Sequence, residues 1–386
     1  MSKNKKFISY GSQLITDDDI DHVVESLKSD WLTTGPYVDK FEKKFSKKIK
    51  TNFSVAIANG TAALHAAMYA LNISDGDEVI LPSLTFAATA NSVIYMGGRP
   101  IFCDINPKNL LIDVDKIEEL ITSKTKAIIT VDYAGHPSPY DELIDICKKY
   151  SIKLVSDSCH ALGATYNNKP VGSQADISTF SFHPVKPITT GEGGMVCTSN
   201  KEYFNRLKIF RNHGIKTEFR EREEQGIWHY EIDEPGYNYR LTDFQSALGI
   251  SQLKKIDQFT KHRNNLAKLY IKRFKNLSNI SLLSIEKNIT HAYHLFVIKI
   301  NFQKLKIDKK TFFSNVRKKG VGLNVHYIPV HLHPFYIKNH LSYKGLCPVS
   351  EKAYEEIITI PLHMKMDSDD VDYVVETLNQ EIENLL

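Results

Sequence analysis

The sequence predicts an α/β fold: a large domain on a mostly parallel central sheet, followed by a smaller C-terminal α/β domain. Two observations carry this. Through the first half, short apolar runs alternate with helical segments, the pattern of parallel strands joined by crossover helices. After about Leu248 that alternation gives way to a long lysine-rich helical stretch and a second, shorter set of strands and helices. The boundary therefore falls between a large domain at 1–248, which includes the N-terminal segment, and a small domain at 249–386. With 386 residues, 42% of them hydrophobic, the chain can bury one large core and one smaller one.

Thr16, followed by three aspartates, caps a helix whose apolar positions Ile20, Val23, Val24 and Leu27 fit one helical face. Asp30-Trp31-Leu32-Thr33-Thr34-Gly35-Pro36 reads as a loop. A short apolar run from Ser54 to Ala58 leads through Asn59-Gly60-Thr61 into an alanine-rich helix, Ala62 to Ala70. The runs Glu78 to Leu81, Arg99 to Phe102, Ala127 to Val131, Lys153 to Val155, Ile177 to Phe182 and Met195 to Thr198 have the length of buried strands, with helices such as Phe86 to Met96 and Tyr140 to Tyr150 between them. Lys216 to Pro235 is charged with mixed signs and reads as an exposed excursion. A helix from Gln252 to Phe274 and a strand from His294 to Ile300 open the small domain.

Composition excludes several classes of function. Lys+Arg 49 against Asp+Glu 45 leaves a formal charge of +4 without long blocks, so no nucleic-acid footprint is expected. The lysines of the N-terminal residues have no apolar segment behind them, and no stretch reaches the roughly 18 apolar residues of a membrane span. A cytoplasmic protein is expected. The five cysteines, Cys103, Cys147, Cys159, Cys197 and Cys347, are widely spaced and suit reduced thiols in a core. His291 with His294, and His331 with His333, lack a third ligand at zinc-like spacing, so no metal is expected. Arg211 and Arg240 could hold a diphosphate or carboxylate, or serve as structural ion-pair partners.

Ligands of parallel sheets gather at the carboxyl ends of the strands. Asn59-Gly60-Thr61, Ser83 to Phe86, Asp157 and Ser181 to Lys186 all fall on that rim. A lysine and an aspartate on neighbouring strand ends could hold the two functional ends of pyridoxal 5′-phosphate: the amine condenses with the aldehyde, and the carboxylate pairs with the pyridine nitrogen. Gly60 and Thr61 would open a helix whose free N–H groups favour a phosphate, the hydroxyls of Thr61 and Ser181 would add donors, and Phe86 could stack on the ring. Each has a bland counterpart: a surface lysine, a turn aspartate, a helix cap, a core phenylalanine.

Together and in order, Asn59-Gly60-Thr61-Ala62-Ala63-Leu64, Gly76-Asp77-Glu78-Val79-Ile80, Pro82 to Phe86, Asp157-Ser158-Cys159-His160-Ala161-Leu162-Gly163, Phe180-Ser181-Phe182, Thr190 to Gly194, Gly236-Tyr237-Asn238-Tyr239-Arg240-Leu241 and His326-Tyr327 closely resemble the DegT/DnrJ/EryC1/StrS sugar aminotransferases, which are fold-type I pyridoxal phosphate enzymes. The likeness runs from about Tyr10 to the C-terminus. It implies Lys186 as the residue bonded to the cofactor, Asp157 as the pyridinium partner, Ser181 and the Gly60-Thr61 amides as phosphate ligands, and His160 as a cofactor neighbour. It also implies that Asn238 reaches the cofactor phosphate of the other subunit, hence a homodimer with shared active sites. His183 to Thr190 is similar to members that aminate C4 of a UDP-linked 4-keto-6-deoxy-N-acetyl hexose in pseudaminic acid biosynthesis, with glutamate as donor and 2-oxoglutarate released. By the same resemblance Tyr10, Asp30, Trp31, Leu32, Thr33, Asn324, Val325, His326 and Tyr327 would line the nucleotide-sugar cleft. Other readings are an aminotransferase for a related nucleotide 4-keto sugar, a dehydratase of the same family and a non-catalytic sugar-binding member. Lys186 argues against the dehydratase, which carries histidine there, and a binding module has no need of a lysine-bound cofactor. No GxGxxG follows an early strand, which disfavours a nicotinamide oxidoreductase.

Overall fold

The computed structural model describes residues 7–217, 219–275, 277 and 279–384. Its central sheet comprises β1 (Phe53–Ile57), β2 (Glu78–Pro82), β3 (Arg99–Cys103), β4 (Thr125–Val131), β5 (Lys153–Asp157), β6 (Ile177–Ser181) and β7 (Gly194–Thr198). They lie in the order β1-β7-β6-β5-β4-β2-β3, and only β7 runs antiparallel to its neighbours. The strands are continuous apolar runs because both faces of the sheet are covered. Since β7 runs backwards, its first residue, Gly194, lies beside Ser181 and Ile57, where β6 and β1 end. A Cβ at Gly194 would stand 2.5 Å from the Asn59 carbonyl oxygen, so only glycine lets the chain pass this close to the rim.

Helices α1 (Asp17–Leu27), α2 (Pro36–Ile49), α3 (Gly60–Ala70), α4 (Ala87–Tyr95), α5 (Tyr140–Tyr150) and α6 (Lys201–Phe210) surround this sheet. On one face the alanines of α3 bring that helix down onto Val55, Ile57, Leu81 and Val155. On the other, Phe41 and Phe45 of α2 meet Phe180 and Phe182, while Tyr140 and Leu143 of α5 cover Ile80, Ile128 and Leu154. The mostly parallel sheet expected from the sequence is thus the frame of the molecule, and its strands and helices fall within a few residues of the predicted spans.

Three elements differ from the sequence reading. In α1 Thr16 caps the helix as expected, in a capping box with Asp19, but Ile20, Val24 and Leu27 are exposed and the buried positions are Asp19 and Ser26. Asp19 accepts from Gln252 Nε2 at 2.7 Å and pairs with Lys255 at 2.9 Å, so a polar seam docks the helix and its apolar stripe faces outward. The expected long helix is two, α7 (Asp243–Lys254) and α8 (Ile256–Phe274), broken at Lys255. The strand expected from His294 starts at Phe296, because the Leu295 amide is engaged by the Ala134 carbonyl at 3.2 Å. Residues 1–6, and residue 218 of the charged excursion, lie outside the described residues; within that excursion Phe219–Glu224 is a short helix.

The C-terminal part is a three-stranded antiparallel sheet, β8 (Ile280–Leu282), β9 (Phe296–Ile300) and β10 (Ile357–Ile360). Around it lie α9 (Lys309–Lys318), α10 (Pro348–Glu356) and α11 (Ser368–Glu383). Ile8 from the N-terminal segment joins its core. Helix α8 serves both cores: Ile256 and Phe259 pack with α2 and the large sheet, Leu266, Tyr270 and Phe274 with the small one. A further apolar cluster, with Leu84, Val131 and Tyr133 against Leu295, Val297, Val325 and Tyr327, seals the junction under the sheet rim.

Candidate active site

The rim of the large sheet carries two buried carboxylates one residue beyond or at a strand end, and their surroundings separate them. Asp132, after β4, accepts from the Ser138 amide (2.8 Å), Tyr140 Oη (2.7 Å), Ser156 Oγ (3.1 Å) and Ser158 Oγ (2.7 Å). Every lone-pair direction is taken, and burial raises its proton affinity. Among the described residues Asp157, the last residue of β5, accepts from Thr89 Oγ1 (2.8 Å) and the Cys159 amide (3.2 Å), with the Cys159 thiol also beside it. It keeps acceptor capacity for a ligand.

Lys186 lies beyond the end of β6, half-buried, and no side chain among the described residues hydrogen-bonds its amine. Burial lowers its proton affinity below the usual lysine range, while the nearby Cys159 and Asp157 act in the opposite direction. A lysine held this way spends more time as the neutral nucleophile. Cys159 remains a thiol, because burial and the Asp157 charge both push its ionisation well up.

Helix α3 points its N-terminus at the same place. Asn59 caps it by accepting from the Ala62 amide at 2.8 Å, and its carbonyl takes the Ala63 amide at 3.0 Å. The Gly60 and Thr61 amides are among those with no partner inside the helix. A Cβ on Gly60 would lie 2.9 Å from Ser181 Cβ, 3.2 Å from Ser181 Oγ and 3.4 Å from Cys159 Sγ. The missing side chain is what leaves a backbone cradle beside the Ser181 hydroxyl, suited to an anion. Phe86, 56% exposed at the start of α4, stands over this rim, its ring 5.7 Å from that of Tyr327. An apolar ring left this open could stack on a flat ligand.

Around Lys186 stand His160, His294 and His326, each close enough to influence it or be influenced by it. His160 accepts from the Ala134 amide on Nδ1 at 3.3 Å, so its proton sits on Nε2 and is donated to Tyr327 Oη at 2.9 Å. Burial, with Lys186 and His326 nearby, holds His160 neutral; burial and Lys186 push His326 down to about 3. Tyr10 places its ring 5.4 Å from His326, whose Nδ1 meets Thr359 Oγ1 at 2.8 Å. Asn324 Nδ2 is 3.5 Å from His326 Nε2, and the Tyr133 hydroxyl donates to the His326 carbonyl.

The chain thus gathers Lys186, Asp157, Gly60, Thr61, Ser181, Phe86, His160, Tyr10, Asn324, Val325, His326 and Tyr327 at one rim. It does not bring Asp30, Trp31, Leu32, Thr33 or Asn238 into contact with them. Thr33 bridges to Thr242, and the exposed Asn238 bridges to Asn212. Arg211 pairs with Glu42 and donates to the Ala56 carbonyl at 2.8 Å, and Arg240 donates to Asn212 Oδ1 at 2.7 Å; all three contacts are internal. His331 is engaged by Ser83 Oγ (2.7 Å) and Glu351 (3.0 Å). Among the described residues no group of three His, Cys, Asp or Glu could hold a metal ion, and no helix is long and apolar enough to cross a membrane. Thr89 and Tyr133 belong to the site and were not singled out by the sequence, and Cys159 and His294, read there as a core thiol and as half of a histidine pair, stand beside Lys186 as well.

The residues present fit pyridoxal phosphate: a backbone cradle for its phosphate, an unsaturated carboxylate for its ring nitrogen, a deprotonation-prone amine for its aldehyde and an exposed aromatic ring for its face. Comparison with known proteins agrees. The DegT/DnrJ/EryC1/StrS aminotransferase family matches residues 13–379. The UDP-4-amino-4,6-dideoxy-N-acetyl-beta-L-altrosamine transaminase of Campylobacter jejuni (strain 81-176) is 38% identical over 375 residues, 96% of each chain. Among solved structures, the PMP-form of Spr1654 from Streptococcus pneumoniae superposes with a TM-score of 0.91 at 32% identity, covering 98% of this chain and 100% of that one. Helicobacter pylori PseC, an aminotransferase involved in pseudaminic acid biosynthesis, gives the same TM-score, identity and coverage. With a rim built for the cofactor and matches that span almost its whole length, this chain belongs to the DegT/DnrJ/EryC1/StrS family of pyridoxal phosphate-dependent sugar aminotransferases.

Proposed function

We propose that the protein transfers the amino group of glutamate to C4 of a UDP-linked 4-keto-6-deoxy-N-acetyl hexose, the amination step of pseudaminic acid biosynthesis, and releases 2-oxoglutarate. The observation that carries the transfer is a lysine amine, disfavoured as a cation, close enough to feel the Asp157 carboxylate and on the same rim as the cradle of Gly60 and Ser181. The sugar is supported by the names of the Campylobacter and Helicobacter relatives. Bound pyridoxal phosphate supplies the electron sink that makes a C–H bond next to nitrogen acidic. Lys186 Nζ takes the proton from glutamate Cα and, in the second half of the cycle, delivers one to sugar C4. Asp157 would keep the ring nitrogen protonated, Gly60, Thr61 and Ser181 would hold the phosphate, and Phe86 would pack against the ring. His160 donates towards the Tyr327 hydroxyl, and Tyr10, Asn324, Val325, His326 and Tyr327 border the sugar. Incubation with glutamate and a panel of UDP-4-keto-6-deoxy sugars, followed by NMR of the products, should give amination at C4. Absence of an aminated product across the panel would sink this substrate assignment.

Asp30 to Thr33 and Asn238 complete the site from a second copy in this reading, since within one chain they stand apart from Lys186 and are largely solvent-facing. Two inactive chains, Lys186→Ala and Asn238→Ala, should therefore regain activity when mixed. In a random two-fold dimer population about a quarter of the sites would be intact. Mixed chains as inactive as either parent would show that each subunit works alone.

A further inference from the structure

Where α8 crosses from one core to the other stands Arg263, 2% exposed. Its Nη1 donates to the carbonyls of Tyr293 (3.1 Å) and Leu362 (2.9 Å), with that of His294 at 3.5 Å. No carboxylate among the described residues pairs with it, although burial lowers its proton affinity only to about 10, so it is charged at neutral pH. An uncompensated buried guanidinium is expensive. What it secures is the backbone on both sides of His294.

His294 is itself buried, and its ring lies against that of His160, centroids 4.5 Å apart and planes at 49°. Its Nδ1 is buried without a hydrogen-bond partner. Stranding a bare acceptor costs less than stranding an N–H, so the His294 proton belongs on Nε2. No hydrogen bond joins the two imidazoles among the described residues: the contact is a tilted packing of the two rings. His160 uses both nitrogens elsewhere, Nδ1 on the Ala134 amide and Nε2 on Tyr327.

We propose that Arg263 and His294 are positioning residues for the reaction: the guanidinium fixes the His294 backbone, and the His294 ring fixes that of His160 with its proton on Nε2. Because Tyr327 Oη accepts that proton, its own hydroxyl hydrogen is directed away from His160. The inference deepens the aminotransferase reading, on which its catalytic consequence rests, but its geometry does not depend on it. The groups facing His160 are Lys186, His326, His294, Tyr133 and Tyr327; those facing His294 are Lys186, His160, His326 and Arg263. The basic groups among them discourage a proton on either ring. Burial is the largest cause of the lowered proton affinity of His160, so losing the ring packed against it should let His160 protonate more readily.

The test uses the full chain without cofactor, labelled with 15N-histidine, with the His160 resonances assigned by their loss in His160→Gln. The unsubstituted chain should show one tautomer, protonated on Nε2. His294→Ala should show a mixture of tautomers and a protonation midpoint raised by about one unit. Arg263→Met should behave likewise, and if it does not fold, His294→Ala carries the test alone. His294→Phe, which keeps a flat ring without nitrogens, should retain the single tautomer; a spectrum like that of His294→Ala would overturn the ring-contact account. An unaltered His160 spectrum in His294→Ala overturns the inference whatever the substrate. In the loaded enzyme His294→Ala should lose kcat as the pH falls through the raised His160 midpoint, a loss additional to any limb set by Lys186, with KM for glutamate unchanged, a pattern that lost stability alone would not produce.

Discussion

Replacing Lys186 by alanine is expected to abolish amino transfer while leaving the chain folded. In the proposed reaction the amine is asked to do two things, to bond the cofactor and to carry the proton, and no neighbour among the described residues can replace it: His160 and His326 are held neutral with their nitrogens engaged, and Cys159 is a high-pKa thiol. The loss should reach at least about 10⁴-fold, the upper end of what a positioned acid/base group contributes by itself. Borohydride should fix pyridoxal phosphate covalently in the unsubstituted chain and not in Lys186→Ala. Stability should move the other way. The folded-state proton affinity of Lys186 is depressed, so the unfolded chain binds more protons and stability rises with pH through the window below the usual lysine value. At neutral pH the lysine is therefore a cost, and the isosteric Lys186→Met should melt no lower than the parent. Transamination persisting in either variant, or borohydride fixing the cofactor elsewhere, would refute the assignment.

How much of this could be read in the sequence follows from where each interaction is encoded. That Gly60, Asp157 and Lys186 share one rim was legible because each lies at or shortly after a strand end, and strand ends can be found from apolar run length. The phosphate cradle was legible for the same reason, although the measure of it, the 2.9 Å approach of a Gly60 Cβ to Ser181, exists only once β6 and α3 are side by side. Thr89 was not legible: a threonine inside α4 has no local signal that its hydroxyl meets Asp157 across the rim. Neither was Arg263, one basic residue in a lysine-rich helix, because its burial depends on two cores meeting there. The stripe of α1 shows a limit of another kind. Periodicity locates an apolar face but not what it faces, and Ile20, Val24 and Leu27 turn outward because Asp19 commits the opposite side to Lys255 and Gln252. The break at Lys255 carried no glycine or proline to announce it.

Asp157→Asn should keep the architecture and remove the charge. The amide oxygen can still accept from the Cys159 amide, and the Thr89 hydroxyl, also in contact with Thr85 Oγ1 at 2.8 Å, can turn to accept from the new amide nitrogen. The Asp157→Asn chain can no longer hold a proton on the ring nitrogen by opposite charge. Such a partner within a few Å is worth about 1–3 units of pKa, so the competent protonation state should fall by roughly 10 to 10³-fold, and kcat with it. A second effect distinguishes this from general damage. Asp157 also raises the proton affinity of Lys186, so without it the amine loses its proton at lower pH, and an acid limb governed by Lys186 should move down the pH scale while the maximum rate falls. Spectrophotometric pH–rate profiles of both chains read the two effects together. A lowered plateau with the acid limb displaced downward supports both roles of Asp157. A rate near that of the parent would mean that another group protonates the ring, and a limb displaced upward would remove Asp157 from the surroundings of the Lys186 amine.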